Sequence, residues 1–227
     1  MRVASRVLLV AFVVAALAQV LAQVLDLDVL YVVTKPLLMP LLLGFLLASA
    51  PLEGRLLRAT AAALAWSWLG DLALMPEGDV WFLLGLLAFL LAHVCYLVGF
   101  ATTYADGPLD RNKLLVVPYA AWFVLLLVVL GPDLGSMLLP VAVYGVVLCA
   151  MAALATGVNA TTAVGAIIFV VSDSTLAATA LTDRFAFDGD GAVVMLTYCL
   201  GQLLIVLGVL AASRPVSDRV PTAPPTS

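Results

Sequence analysis

The segment Val80–Thr102 reads VWFLLGLLAFLLAHVCYLVGFAT, and its composition sets the fold class. It contains no Asp, Glu, Lys or Arg over 23 residues. At about 1.5 Å of rise per residue, a helix of this length spans the roughly 30 Å of hydrocarbon in a bilayer. One side chain that can carry a positive charge, His93, interrupts the apolar run. The segment therefore predicts a membrane-spanning helix with a polar group inside it.

Similar stretches recur along the chain, which is 65% hydrophobic and 11% charged and so is not an ordinary soluble domain. Eight segments are long enough to span: Val7–Leu25, Tyr31–Ala50, Leu57–Met75, Val80–Thr102, Leu114–Leu130, Ser136–Thr156, Ala160–Leu181 and Ala192–Ala212. None alternates with the period of two that a membrane β-barrel needs. We predict an all-α polytopic membrane protein, a single bundle of about eight transmembrane helices over residues 1–212. The Pro-, Ser- and Thr-rich segment 213–227 is predicted to be a disordered cytoplasmic tail.

The charges between the segments predict the orientation of the bundle. One set of loops and ends carries cations: Arg2, Arg6, Arg55, Arg58, Arg111, Lys113, Arg214 and Arg219. The opposite set carries Asp26, Asp28, Glu77, Asp79, Asp133, Asp183, Asp188 and Asp190, with Arg184 as its one cation. Because positive loops stay inside, both termini are predicted to be cytoplasmic. The net charge of −4 lies mostly in the outer loops and does not indicate a nucleic-acid partner.

The first segment has a second interpretation, as a secretory signal. Arg2 and Arg6 precede an apolar run, and Ala16–Ala18 resembles a cleavage site. The apolar run continues to Leu25, which is long for a signal and right for a span, so an uncleaved helix is favoured. Cleavage would leave seven helices with the same later topology.

Five strongly polar residues lie within these hydrocarbon-length segments: Lys35, Asp71, His93, Asp173 and Gln202. A charge at the bilayer centre costs roughly 2.5–3.5 kcal/mol, so such residues usually face a protein interior. They could be buried salt bridges that lock helices together, but so many in one chain favour a functional cavity. Helix spacing puts Tyr31 beside Lys35, Tyr96 beside His93 and Tyr198 beside Gln202. We expect one cavity opening toward the outer side to reach most of them.

Two equal offsets suggest an internal repeat. Asp71 and Asp173 are separated by 102 residues, and so are Tyr96 and Tyr198. A parallel four-plus-four duplication would place each pair at related positions in two halves. Binding sites of membrane proteins commonly lie at such repeat interfaces.

The residue types limit the chemistry of this cavity. No paired ligand spacing supports a metal site, and Cys95, Cys149 and Cys199 form no metal or disulfide motif. Ser172 lacks the Gly-x-Ser-x-Gly elbow of a serine hydrolase and is interpreted as a hydrogen-bonding neighbour of Asp173. Two carboxyl groups in different environments can serve as proton donor and ionised partner. This suits hydrolysis through an oxocarbenium-like cation.

Five blocks of the sequence carry a family resemblance: Lys35-Pro36, Gly70–Met75, Phe89–Tyr96, Gly165–Ser174 and Tyr198–Gln202. Their patterns are Lys-Pro, Gly-Asp-x-x-Leu, Phe-x-x-x-His-x-x-Tyr, Gly-Ala-x-x-Phe-x-x-Ser-Asp-Ser and Tyr-x-x-x-Gln. Together they resemble the lysoplasmalogenase (YhhN-like) integral membrane family. The blocks run in order from the second segment to the eighth and cover most of the chain.

The resemblance implies hydrolysis of the vinyl ether bond of a lysoplasmalogen to a fatty aldehyde and a glycerophospho-alcohol, without a cofactor or metal. Asp71 and Asp173 would be catalytic, one as general acid and the other as stabiliser of the cation and activator of water. Lys35 would hold the lipid phosphate. The expected substrate-binding set is completed by His93, Tyr96, Ser172, Tyr198 and Gln202.

A different functional class also fits buried Asp, His and Lys side chains, namely a small-molecule or proton-coupled transporter. A transporter site must face both sides in turn, whereas the polar residues here lie toward the outer side. This bias favours the enzyme, whose substrate would be a lysophospholipid taken from the bilayer. The expected location is a cell membrane, as in a multi-pass protein of a bacterial inner membrane, and the sequence predicts no oligomeric state.

Overall fold

The computed structural model of the chain describes residues 3–103 and 108–213. Eight helices of 18 residues or more follow one another there: α1 Val3–Val24, α2 Asp28–Ser49, α3 Gly54–Ala73, α4 Asp79–Ala101, α5 Val117–Leu134, α6 Leu138–Ala155, α7 Ala160–Leu181 and α8 Asp190–Ala212. Short helical turns cover Pro108–Arg111, Lys113–Val116, Gly135–Met137 and Asp183–Phe185. The prediction of an all-α protein is confirmed.

Six stretches of the described chain are long and apolar enough to cross a membrane. One of them, Lys113–Ala155, has 43 residues and contains both α5 and α6. Helix α3 is not among the six, and it carries Arg55, Arg58 and Asp71. These lengths fit a polytopic membrane protein. The number of crossings, about eight, stays a prediction.

The fifth helix begins later than the sequence predicts. Residues Lys113–Val116 form a tight 3₁₀ turn, which Asn112 caps by accepting a hydrogen bond from the Leu114 amide at 3.1 Å. Helix α5 then starts at Val117, with Pro118 in its first turn. Proline is tolerated there because its missing N–H has no partner within a helix at that position.

Neighbouring helices pack mainly as consecutive pairs: α1 with α2, α3 with α4, and α7 with α8. Helix α8 also contacts α1, α2 and α3, which gives it a central place in the bundle. Helix α5 lies at the periphery, where only Leu130 and Leu134 of its residues are buried. The core therefore forms around α8, and α5 is the helix with the fewest buried side chains.

Glycines bring α7 and α8 into backbone contact. A Cβ atom placed on Gly165 would lie 2.8 Å from the carbonyl oxygen of Gly201, and one placed on Gly201 would lie 3.0 Å from that of Gly165. Small residues of this kind allow helices in a membrane to approach closely. The contact fixes how far Asp173, on α7, lies from Tyr198, on α8.

Two prolines shape α2 beside Lys35. Pro40 has no N–H, so the carbonyl of Pro36, four residues earlier, loses its usual helical donor. The indole Nε1 of Trp68 on α3 donates to this carbonyl at 3.0 Å. A side chain of the neighbouring helix thus satisfies a backbone group that has no water partner in hydrocarbon.

Several sequence predictions fall outside the described residues. Arg2, Arg214 and Arg219 lie there, as does the tail predicted at 213–227 apart from Ser213. The contacts of the repeat-related residues also differ between the two halves. Tyr198 pairs with Asp71, whereas Tyr96 pairs with Gln202. The internal repeat stays a prediction.

The orientation is testable with a single accessible thiol. In a variant with alanine at Cys95, Cys149 and Cys199, we expect Asp188→Cys to react with an impermeant maleimide in intact cells. Asp188 is exposed and lies on an acidic loop, which should face outward. Glu53→Cys, exposed between α2 and α3, should react only after permeabilisation. The reverse pattern would overturn the topology.

Candidate functional site

A polar cavity of about 350 Å³ lies among α1, α2, α3, α4, α7 and α8. Asp190 and Gly191, at the start of α8, are part of its wall. The cavity therefore lies toward the end of the bundle that carries the acidic loops. Five of the eight predicted site residues line it: Lys35, Asp71, Ser172, Asp173 and Tyr198.

Asp71 lies near the C-terminal end of α3 and is 2% exposed. The hydroxyl of Tyr198 on α8 donates a hydrogen bond to its Oδ2 atom at 2.8 Å. The rings of Phe89 and Phe169 hold the Tyr198 ring edge-on, with centroid separations of 5.7 and 5.5 Å. An aromatic cluster thus fixes the hydrogen-bond donor of this carboxyl group.

Asp173 occupies the middle of α7 and is 9% exposed. The hydroxyl of Tyr144 on α6 donates to its Oδ2 atom. The Nε2 atom of His93 on α4 lies 3.7 Å from the same oxygen. Both contacts fall on Oδ2, so Oδ1 is the oxygen left for a bound molecule. Asp71 and Asp173 line the same cavity.

Lys35 is the buried cation of the cavity, at 7% exposure. Its Nζ atom donates to the Tyr31 hydroxyl at 2.9 Å and lies 5.1 Å from the centre of the Tyr31 ring. It lines the same cavity as Asp71. The spacing of one helical turn between Tyr31 and Lys35 therefore produces the predicted contact.

Ser172 lines the cavity, and its hydroxyl is hydrogen-bonded to α8. Its Oγ atom donates to the backbone carbonyl of Val194 at 3.0 Å. This bond ties α7 to α8 next to Asp173. Ser172 was interpreted as a hydrogen-bonding neighbour of Asp173, and its partner is a backbone carbonyl. The carboxyl group of Asp173 accepts a hydrogen bond from Tyr144 instead.

The other three predicted residues lie behind the cavity and do not line it. Tyr96 donates to Gln202 Oε1 at 2.5 Å, and Gln202 Nε2 donates to Ser67 Oγ at 3.0 Å, so α4, α8 and α3 are linked. His93 is fully buried and packs edge-on against the rings of Tyr144 and Phe169. His93 does not line the cavity, and its Nε2 atom lies 3.7 Å from Asp173 Oδ2. Its role in substrate binding stays a prediction.

Tyr144 is the residue that the sequence analysis missed. It lies in the apolar helix α6, which contains no Asp, Glu, Lys, Arg or His. Its hydroxyl could have been noticed only as a polar group at membrane depth. Its pairing with Asp173 depends on the packing of α6 against α7, which no local pattern encodes.

The YhhN family model matches residues 30–209 of this chain, most of its length. The chain belongs to the YhhN family. Among curated relatives, lysoplasmalogenase TMEM86B of Homo sapiens is 35% identical over 181 residues, which cover 78% of this chain and 74% of that protein. The lysoplasmalogenase of Mycobacterium tuberculosis (strain CDC 1551 / Oshkosh) is 34% identical over 178 residues, 73% of this chain and 67% of the relative. No solved structure matches the chain significantly.

Membership in this family and the apolar helices agree that the chain is a multi-pass membrane protein. The five predicted site residues that line the cavity of this YhhN protein all lie within the matched range. Among residues 3–103 and 108–213, no three His, Cys, Asp or Glu side chains are grouped so as to hold a metal ion. The lining of the cavity includes the carboxyl groups of Asp71 and Asp173, the hydroxyl of Tyr198 and the ammonium group of Lys35.

Proposed function

We propose that this protein is a lysoplasmalogenase, an intramembrane hydrolase that cleaves the vinyl ether bond of a lysoplasmalogen taken from the bilayer. One observation carries the proposal: Asp71 and Asp173, each bound by a tyrosine, line the same cavity as the buried Lys35. Relatives that carry the name lysoplasmalogenase support the choice of substrate. We also propose a cell membrane as its location.

The first chemical step is proton transfer to carbon. One aspartic acid donates its proton to the β-carbon of the vinyl ether, and the π electrons of the double bond form the new C–H bond. The ether oxygen then shares the positive charge as an oxocarbenium ion. The other carboxylate stabilises this cation at a buried position, where electrostatic stabilisation is strong.

The second step adds water to the carbon attached to the ether oxygen. The ionised carboxylate accepts one proton of the attacking water, which is the role of a general base. The resulting hemiacetal breaks its bond to the glycerol oxygen, which takes the proton that the base had accepted from water. The hemiacetal hydroxyl gives its proton to the carboxylate that acted as the acid in the first step, so both carboxyl groups return to their starting states. The products are a fatty aldehyde and a glycerophospho-alcohol, and the net reaction consumes one water molecule.

The remaining cavity residues hold the substrate and the two carboxyl groups. Lys35 binds the phosphate near the acidic end of the bundle, where its ammonium group is a compact charge with three donors. Tyr198 and Tyr144 orient Asp71 and Asp173. The arrangement is supported from behind the cavity by His93, Tyr96 and Gln202. Ser172 ties α7 to α8 in the cavity wall.

Purified protein should release aldehyde from a 1-alkenyl lysophospholipid and none from the matched 1-alkyl ether. The alkyl ether has no carbon–carbon double bond to protonate, so it tests the chemistry with the same headgroup and chain. Aldehyde is measured through its hydrazone, and glycerophospho-alcohol by mass spectrometry. Absence of aldehyde from the alkenyl lipid would refute the proposal. Solute uptake into proteoliposomes without hydrolysis would support a transporter.

A further inference from the structure

A second, apolar cleft adjoins the polar cavity. It lies among α4, α5, α6 and α7, and its wall includes Leu86, Leu126, Leu148 and Ala177. Asp173 lines both the cleft and the cavity, as do Leu74, Phe82, Phe89 and Leu176. Asp71 and Lys35 line the cavity alone. The two spaces therefore meet at Asp173, with the charged groups on one side and hydrocarbon side chains on the other.

We infer that the apolar cleft holds the alkenyl chain of the substrate, and that Asp173 at its mouth is the proton donor. The inference rests on the proposed function. A lysoplasmalogen has a phosphate at one end and a long hydrocarbon chain at the other, with the vinyl ether between them. With the phosphate at Lys35 and the chain in the cleft, the vinyl ether lies at the junction.

The order of atoms along the substrate then separates the roles of the two carboxyl groups. The β-carbon is on the chain side of the ether oxygen, and so it faces Asp173. The ether oxygen and the glycerol lie toward Asp71 and Lys35. Asp173 therefore supplies the proton through Oδ1, while Asp71 stabilises the cation and accepts a proton from water.

The cleft is narrow, about 40 Å³, so the chain must displace part of the wall. Helix α5 is suited to this movement because only Leu130 and Leu134 of its side chains are buried. The opposite surface of α5 is apolar and exposed, as at Val124 and Val128. An alkenyl chain that separates α5 from α6 and α7 stays in contact with hydrocarbon. The free-energy cost of opening the cleft is therefore low.

A neighbouring groove is the rival place for the chain. It lies on the other side of α7, with Trp122, Val171 and Ala178 in its wall, and neither Asp71 nor Asp173 lines it. Ala177 faces the inner cleft and the adjacent Ala178 faces this outer groove, and both are half-buried. The two alanines thus form a matched pair on one helix.

The test compares Ala177→Leu with Ala178→Leu on two lysoplasmalogens of the same headgroup. A but-1-enyl chain ends near Asp173, whereas a hexadec-1-enyl chain passes Ala177, which is one turn or about 6 Å further along α7. We expect Ala177→Leu to lower kcat/KM for the long chain relative to the short chain about tenfold, the scale of a steric misfit in an apolar pocket. Ala178→Leu should leave the ratio unchanged.

The ratio of two substrates on one variant does not depend on the fraction of protein that folds. An unchanged ratio in Ala177→Leu would overturn the inference, and so would a change in Ala178→Leu alone, which would place the chain in the outer groove. If the unsubstituted protein released no aldehyde from either lipid, the proposed function itself would fall. Activity of the unsubstituted protein with an unchanged ratio would refute only the placement of the chain.

Discussion

Asp173→Asn and Asp71→Asn should each lower aldehyde release by about 10²–10⁴-fold, the usual contribution of general acid–base catalysis. Asparagine keeps the shape of the side chain and an oxygen that can accept the hydrogen bond of Tyr144 or Tyr198. It removes the acidic proton at one position and the negative charge at the other. Initial rates on a 1-alkenyl lysophospholipid measure the loss.

Ser172→Ala is the matched control for this prediction. Ser172 precedes Asp173 in the same helix and lines the same cavity, but its hydroxyl donates to the Val194 carbonyl. We expect a small loss, because the serine is not the nucleophile. Size-exclusion profiles and circular dichroism should show that all three variants are folded. An inactive Ser172→Ala beside two active Asp→Asn variants would refute the carboxylate mechanism.

Gly165→Ala should destabilise the bundle by about 3 kcal/mol, at the upper end of the usual cost of overpacking. The added methyl group would lie 2.8 Å from the Gly201 carbonyl oxygen and 2.8 Å from the Ile205 amide nitrogen. These are backbone atoms, so only a separation of α7 from α8 relieves the clash. Reversible unfolding in mixed micelles gives the change in free energy.

Gly44→Ala and Gly131→Ala are the controls. Their added methyl groups would lie no closer than 3.4 Å to a Leu8 carbon and 3.7 Å to a Leu138 carbon, which are ordinary contacts. Both should be neutral or slightly stabilising, because alanine has the higher helix propensity. A Gly165→Ala variant as stable as these two would show that the close approach of α7 and α8 is not required.

Much of the fold was predictable because a membrane helix is a local property of the chain. The length and apolarity of Val80–Thr102 suffice for α4, which spans Asp79–Ala101. Phe89, His93, Tyr96 and Phe100 follow one another at helical spacing, which predicts a shared face, and all four are buried. The start of α5 was missed because a 3₁₀ turn continues the apolar pattern of the helix.

The site was predictable to the extent that charge in hydrocarbon is costly. That cost singled out Lys35, Asp71 and Asp173, and the structure brings all three to one cavity. The hydrogen-bond partners of these groups were harder to predict from the sequence. Ser67 lies one helical turn before Asp71 on α3, yet Ser67 binds Gln202 and Asp71 binds Tyr198. Such pairings depend on the rotation and depth of separate helices, which sequence spacing does not define.

The hydrogen bond from Trp68 to the Pro36 carbonyl gives the molecule a built-in optical probe. Trp68 is three residues from Asp71, and Pro36 follows Lys35, so the bond joins the two helices that carry this carboxyl group and this amine. Indole emission responds to hydrogen bonding at its nitrogen. A variant with phenylalanine in place of Trp66, Trp81 and Trp122 keeps Trp68 as its one tryptophan. The emission wavelength of Trp68 then reports the separation of α2 from α3 without any added dye.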